Sequence, residues 1–223
     1  MQSGLCFLYR RGTDARTVKT SRNQRDQLVQ AIQSLHQRGW CDGTGGNFSV
    51  VLQHQPLRLL MAPSGVDKGQ VNADQLIVVD QTCNVLTGEG NASAETALHL
   101  RIVDATKAGA VLHTHSVPGT VLSHHYENDG VITLDGWEML KGLHGINTHA
   151  TSIKIPVISN SQSMQALSDA IAPSLASAPC GFLVAGHGLY AWGESLESSK
   201  RHIEILEFLL NVKLTQMMIR TQS

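Results

Sequence analysis

The chain has 223 residues, 42% hydrophobic and 16% charged, with a formal net charge of −1 at pH 7. That length and apolar content suffice for one sizeable core, so a single domain is the simplest reading. The near-neutral balance lacks the basic footprint of a nucleic-acid binder and the charge density of an acidic tail, which leaves a small polar metabolite as the expected partner.

Arg10, Arg11, Arg16, Lys19, Arg22 and Arg25 crowd the start of the chain and read as a solvated arm, placed at residues 1–20 and loosely ordered, ahead of a folded domain over 21–223. Ser21 is a candidate cap for a helix whose apolar positions Leu28, Ile32 and Leu35 recur at helical spacing and which stops near Gly39. After a glycine-rich turn, Asn47 to Gln53, Leu57 to Met61 and Leu76 to Asp80 read as strands, with turns at Pro63-Ser64-Gly65 and Asn84. Ser93 is the candidate cap of a second helix that carries Glu95 in its first turn and ends at Gly109. A strand through His113 follows, then a short helix near Val121, a helical turn over Trp137 to Lys141, and a strand at Ile155 to Ile158. A helix from Met164 to about Ala172, a strand from Phe182 to Ala185 and a long helix from about Glu194 to Met217 complete the chain. Strands interleaved with helices and joined by short turns predict a mixed sheet covered by helices, an α/β fold.

The chemistry concentrates in three histidines. His113 and His115 form a His-x-His pair after the apolar run Ala110-Val111-Leu112, and the strand period of two directs both imidazoles to one face. His187 sits between Gly186 and Gly188, where the backbone can turn tightly and a ligand can come close. Neutral imidazoles suit zinc, copper, iron or nickel, and three protein ligands with one open position describe a catalytic zinc.

Around them lie groups suited to a phosphate. Thr44, Gly46 and Asn47 in one glycine-rich turn, Ser64 and Gly65 in Ala62-Pro63-Ser64-Gly65-Val66-Asp67-Lys68, and Ser93 at a helix start offer backbone N–H groups and hydroxyls. Gly43-Thr44-Gly45-Gly46-Asn47 has neither dinucleotide nor P-loop spacing. Glu95 and Glu138 are the candidate proton-transfer acids; the aromatic and aliphatic neighbours of Glu138 are expected to desolvate it and raise its basicity. Cys6, Cys41, Cys83 and Cys180 form no Cys-x-x-Cys pair, Cys41 reads as a buried inert thiol, and with no signal segment or long apolar run the protein is expected in the cytoplasm.

Taken in order, TGGNFS, APSGVDKG, SAETALH, HTHS and GHGLYAWG resemble the class II aldolase family of zinc enzymes acting on sugar phosphates, over nearly the whole chain. The resemblance implies a single-domain α/β/α fold with a central, largely antiparallel sheet flanked by helices, and a homotetramer with active sites near subunit interfaces. It implies one zinc per subunit on His113, His115 and His187. WEMLKG after HTHS resembles the dehydratase branch, with Glu138 as acid/base, while Glu95 matches the proton-transfer acid of the aldolases. Ser93-Ala94-Glu95 lacks one serine of the aldolase motif, so phosphate binding falls to Thr44, Gly46, Asn47, Ser64, Gly65 and Ser93, with Lys68 or Lys141 as charge partners. A sugar-phosphate aldolase or epimerase is the nearest alternative; family aldolases often supply a tyrosine from the chain end, and Tyr9, Tyr126 and Tyr190 are the tyrosines here. A metal-stabilised scaffold without catalysis is the alternative of another class.

Overall fold

The computed structural model describes residues 15–220. Helix α1 spans Ala15–His36 and buries Leu28, Ile32 and Leu35 completely, and the chain leaves it through Gly39 at φ +72°. Ser21 therefore lies inside the helix rather than at its start, and residues 15–20 are helix; residues 1–14, with Cys6, Arg10 and Arg11, lie outside the described residues. Arg25 is a structural tie and not a solvated charge, because its guanidinium donates to the carbonyls of Ala73 and Leu76 at 3.0 and 2.9 Å.

Among the described residues nine strands form one sheet: β1 (Asn47–His54), β2 (Leu57–Met61), β3 (Ile77–Asp80), β4 (Val85–Thr87), β5 (Ala110–Thr114), β6 (Val131–Asp135), β7 (Ser152–Ile158), β8 (Gly181–Val184) and β9 (Gly188–Gly193). Their order is β4-β3-β2-β1-β5-β9-β8-β7-β6, and every pairing is antiparallel except β7 with β8. The expected sheet is thus present. Helices α2 (Thr96–Thr106), α3 (Val117–His125), α4 (Met164–Ile171) and α5 (Leu196–Arg220) join α1 in covering it.

Alternation along the central strands sorts side chains into two cores, as strand geometry requires. Leu112, Leu189, Phe48 and Leu183 pack with Leu28 and Ile32 of α1, Leu122 of α3 and Leu206 and Leu210 of α5. On the other face Val111, Tyr190, Phe182 and Met61 pack with Leu98 and Ile102 of α2 and Leu167 and Ile171 of α4. The result is a three-layer α/β/α sandwich. Among the described residues no helix is long and apolar enough to cross a membrane.

Three strands escape the sequence reading. β6 carries an alternating pattern, with Ile132 and Leu134 buried, and β4 is a three-residue edge. β9 is bounded by glycines, which read as loop punctuation, yet all six of its residues are buried between β5 and β8. Those glycines answer to close packing: a Cβ on Gly188 would lie 2.0 Å from the Thr114 carbonyl oxygen, and one on Gly193 2.4 Å from Ser198 Oγ.

The topology also fixes which residues share an end of the sheet. β5 finishes, and β9 begins, beside the histidines. β8 and β7 therefore finish at that same end, and β6, antiparallel to β7, starts there and delivers the chain to the opposite end.

Candidate metal centre

His113 is the fourth residue of β5, paired across the sheet with Asn47 and Tyr190. It is fully buried, its Nδ1 lies 3.0 Å from the Leu189 carbonyl, and its ring stacks on Tyr190 with centroids 3.9 Å apart. Donation from Nδ1 to that carbonyl leaves Nε2 with a free lone pair, the arrangement by which a second partner orients a metal-binding histidine. His115 is just beyond β5, where its backbone N–H donates to the Trp40 carbonyl at 2.8 Å. His187 occupies the turn between β8 and β9, with Gly186 at φ +62°, and Thr120 Oγ1 donates to its carbonyl at 3.1 Å.

These elements bring three Nε2 atoms and one carboxylate together. His113 Nε2 lies 2.8 Å from His115 Nε2 and 3.4 Å from His187 Nε2, while Glu95 Oε1 is 3.1 Å from His187 Nε2 and Glu95 Oε2 is 3.8 Å from His113 Nε2. One ligand atom from each of the four residues falls within 4.8 Å of all the others. A tetrahedral ion held at about 2.0–2.1 Å from nitrogen sets ligand–ligand edges of roughly 3.3 Å, so these separations fit one divalent ion.

The electrostatics agree with the geometry. Burial holds His113 well below the usual imidazole pKa and lowers His115 as well, so both favour the neutral, ligating form. Burial pushes Glu95 upward, but the hydrogen bond to His187 and the neighbouring histidines outweigh it and bring its carboxyl down to about 2. Glu95 sits at the N-cap of α2 without capping it by its side chain, and the Asn47 amide donates to its Oε2. Ser93 is not the helix cap; its hydroxyl accepts from the Glu95 N–H at 3.2 Å and braces the turn before the helix.

The glycine-rich turn and its neighbours close around this cluster. A Cβ on Gly45 would lie 2.8 Å from His115 Nδ1, and one on Gly46, at φ +80°, 2.8 Å from the His113 carbonyl oxygen. Lys68, though fully buried, donates to the carbonyls of Thr44 and Val66 at 2.9 and 3.1 Å, and Ser64 N–H donates to the Asn91 carbonyl at 2.9 Å. The loops holding Thr44, Gly46 and Asn47, then Ser64 and Gly65, then Ser93 are thereby linked to one another and to Glu95. Lys68 joins them from below rather than facing solvent. Cys41 is buried beneath the same turn, and burial pushes its thiol up to about 12, an inert group as expected.

Glu138 and Lys141 stand apart within the same chain. They lie on a 3-10 turn, Glu138–Gly142, that follows β6 and so belongs to the end of the sheet opposite the histidines. Glu138 is not desolvated: its side chain is 69% exposed, and it pairs with Lys141 at 2.5 Å and His149 at 3.3 Å. The hydrogen bond from Lys141 lowers its pKa, opposite to the expected rise. Apolar neighbours in sequence did not become neighbours over the carboxylate, since Leu140 turns into the core and Met139 outward.

Sequence reasoning passed over three buried polar groups near the cluster. Tyr190 stacks on His113, His99 accepts or donates at 2.8 Å to Ser49 Oγ one helical turn after Glu95, and Glu207 of α5 lies under Thr114 and Ser116. Only Glu207 left a readable signal, a carboxylate at a core position between Ile203, Leu206 and Leu210.

The sheet order, the two helical layers and the histidine–glutamate cluster define an α/β/α protein with a site that fits a divalent metal ion, and the chain belongs to the Class II Aldolase and Adducin N-terminal domain family, whose pattern matches residues 26–214. It is 39% identical over 206 residues to methylthioribulose-1-phosphate dehydratase of Serratia proteamaculans, covering 91% of this chain and 100% of that one. The dehydratase of the same name from Bradyrhizobium sp. is 38% identical over 199 residues, covering 85% and 89%. Among solved structures, L-fuculose-1-phosphate aldolase from Thermus thermophilus superposes with a TM-score of 0.72 at 22% identity, covering 90% of this chain and 98% of that one. A sugar-phosphate aldolase from Thermotoga maritima gives 0.66 at 16% identity, covering 92% and 97%; these two show the shared fold.

Proposed function

We propose that this protein is a zinc-dependent hydro-lyase that removes water from 5-methylthioribulose 1-phosphate to give 5-methylthio-2,3-dioxopentyl phosphate, a step of methionine salvage in the cytoplasm. The observation that carries the reading is the convergence of His113, His115, His187 and Glu95 beside three loops rich in N–H and hydroxyl donors. The dehydratase relatives favour loss of water over cleavage of a carbon–carbon bond.

His113, His115 and His187 hold the ion through Nε2. Bound there, zinc supplies Lewis-acid polarisation of the substrate's C2 carbonyl, which acidifies the C3 proton. Thr44, Gly46, Asn47, Ser64, Gly65 and Ser93 bind the phosphate, with Lys68 holding the first two loops in register. Glu138 takes the C3 proton and returns one to the departing C4 hydroxyl, so water leaves and the enol relaxes to the diketone. Glu95, ionised and directed at the histidines, completes the cluster of four ligand atoms.

Because Glu138 lies at the other end of its own sheet, its role requires a second copy: the Glu138 that acts in one site belongs to a neighbouring subunit of a homotetramer. Lys141, its ion-pair partner, is then carried along with it and is a less direct phosphate ligand than the loop residues.

Incubation of the zinc-loaded protein with 5-methylthioribulose 1-phosphate, with a metal-stripped control and product analysis by mass spectrometry, tests the reading. Metal-dependent loss of one water is expected. Two fragments would assign an aldolase, for which Glu95 against His113 and His187 is the proton-transfer group, and an isomer of unchanged mass an epimerase. Mixing His187→Ala with Glu138→Gln, each inactive alone, is expected to restore part of the activity, because mixed tetramers contain sites with intact histidines facing an intact Glu138. No recovery after subunit exchange would remove Glu138 from the neighbouring site.

A further inference from the structure

Glu207 is 2% exposed, in the middle of α5, among Ile203, Leu206 and Leu210. A carboxylate there is costly unless its oxygens are satisfied, and burial pushes its pKa up to about 7 despite the bonds it makes. Both oxygens have hydroxyl donors: Thr114 Oγ1 donates to Oε1 and Ser116 Oγ donates to Oε2. Thr114 is fully buried and Ser116 1% exposed, so these hydroxyls have no competing solvent. Alternation on β5 explains the meeting, since Thr114 points to the α5 face while His113 points to the other.

Thr114 and Ser116 flank His115 on both sides. Ser116 is also the N-cap of α3, its hydroxyl accepting from the Gly119 N–H at 3.0 Å. Its proton is therefore directed to Glu207, and a continuous path runs from the α3 N-terminus through Ser116 and the carboxylate to Thr114. Gly119 permits the approach: a Cβ there would lie 3.0 Å from Ser116 Oγ and 3.8 Å from Glu207 Oε2.

We propose that Glu207 is a positioning residue of the metal centre: by holding the hydroxyls on both sides of His115, it fixes the end of β5 in the one conformation that sets His115 Nε2 against those of His113 and His187. The proposal rests on the histidine cluster being a metal site and is independent of which sugar phosphate is the substrate. A leucine of similar size would fill the core but leave two buried hydroxyls without an acceptor, and an amide offers one acceptor where two donors point.

The test uses the full chain loaded with cobalt(II), read by its visible ligand-field spectrum, and with zinc, read by competition against a chromophoric chelator. Glu207→Gln, Thr114→Val and Ser116→Ala are each expected to fold, shift the cobalt spectrum and weaken zinc binding by about tenfold or more, the range seen when support behind a ligand is removed. The Glu207→Gln/Thr114→Val double variant is expected to lose much less than the product of the two single effects, because both remove the same contact. Folded variants with wild-type spectrum and zinc affinity would overturn the positioning role. Should Glu207→Gln fail to fold, Thr114→Val and Ser116→Ala decide alone by the same criterion. A wild-type protein that binds neither ion would overturn the metal reading itself, which a normal wild type beside unchanged variants would not.

Discussion

Gly188→Ala perturbs fold and site through one contact whose size the structure sets. The added Cβ would stand 2.0 Å from the Thr114 carbonyl oxygen, 3.1 Å from its carbon and 3.2 Å from His113 Cε1. Side-chain carbons essentially never approach closer than 3.0 Å, so β9 must move away from β5 by about 1 Å, and no flexible side chain can yield because the obstacle is backbone. The same movement lengthens the His113 Nδ1 to Leu189 carbonyl contact, now 3.0 Å, and shifts His187, the residue before the substitution. Overpacking of this kind costs about 1–3 kcal/mol, and a domain of this length loses roughly 2–4 °C in Tm per kcal/mol. Loss of the carbonyl that orients His113 adds a drop of about 10–100-fold in metal affinity. Thermal denaturation of the metal-free protein reads the first effect, and chelator competition the second. A variant with wild-type Tm and wild-type zinc affinity would show that β5 and β9 are not in the contact described, and the argument for Gly188 would fail.

His115→Ala is expected to reduce bound metal to near background, measured by metal analysis of the purified protein, and normal content would remove His115 from the ligand set. Glu138→Gln is expected to keep its full metal content while turnover falls by at least about 100-fold, the usual contribution of a positioned acid or base; normal turnover would end its assignment. Lys68→Met leaves the carbonyls of Thr44 and Val66 without their donor, so inhibition by inorganic phosphate is expected to weaken by about tenfold with metal content unchanged, read by steady-state kinetics. Acid is expected to destabilise the metal-free fold. Native His113, His115 and His99 have pKa values below the ordinary 6.5, His99 at about 4, so below pH 6.5 the unfolded chain takes up protons the native one refuses. Glu207, raised to about 7, works the other way as one group against three, and Glu95, lowered to about 2, adds its own loss as pH falls below about 4.5. A urea midpoint at pH 5 equal to or above that at pH 7.5 would contradict this balance.

Much of the fold was legible because its signals are local. Strand β2 and helix α4 lie within a residue or so of their predicted bounds, since alternation, helical spacing and glycine stops depend on neighbours in the chain. Strand β9 was hidden for the opposite reason: its glycines look like a turn until Thr114 and Ser198 are placed against them. The same division runs through the site. His-x-His on a strand and a histidine between glycines point to a metal from residue type and spacing alone, and the donor-rich loops point to a phosphate in the same way.

What the sequence by itself determined is therefore the inventory: a single α/β domain, three histidines and two candidate acids, because these follow from local period and ligand chemistry. Tertiary structure alone decided their arrangement. It set Glu95 among the histidines and carried Glu138 to the far end of the sheet, because strand direction assigns each loop to an end and only the order of pairing fixes direction. It also put Glu207 beneath Thr114 and Ser116, a contact across 91 to 93 residues that no local pattern encodes.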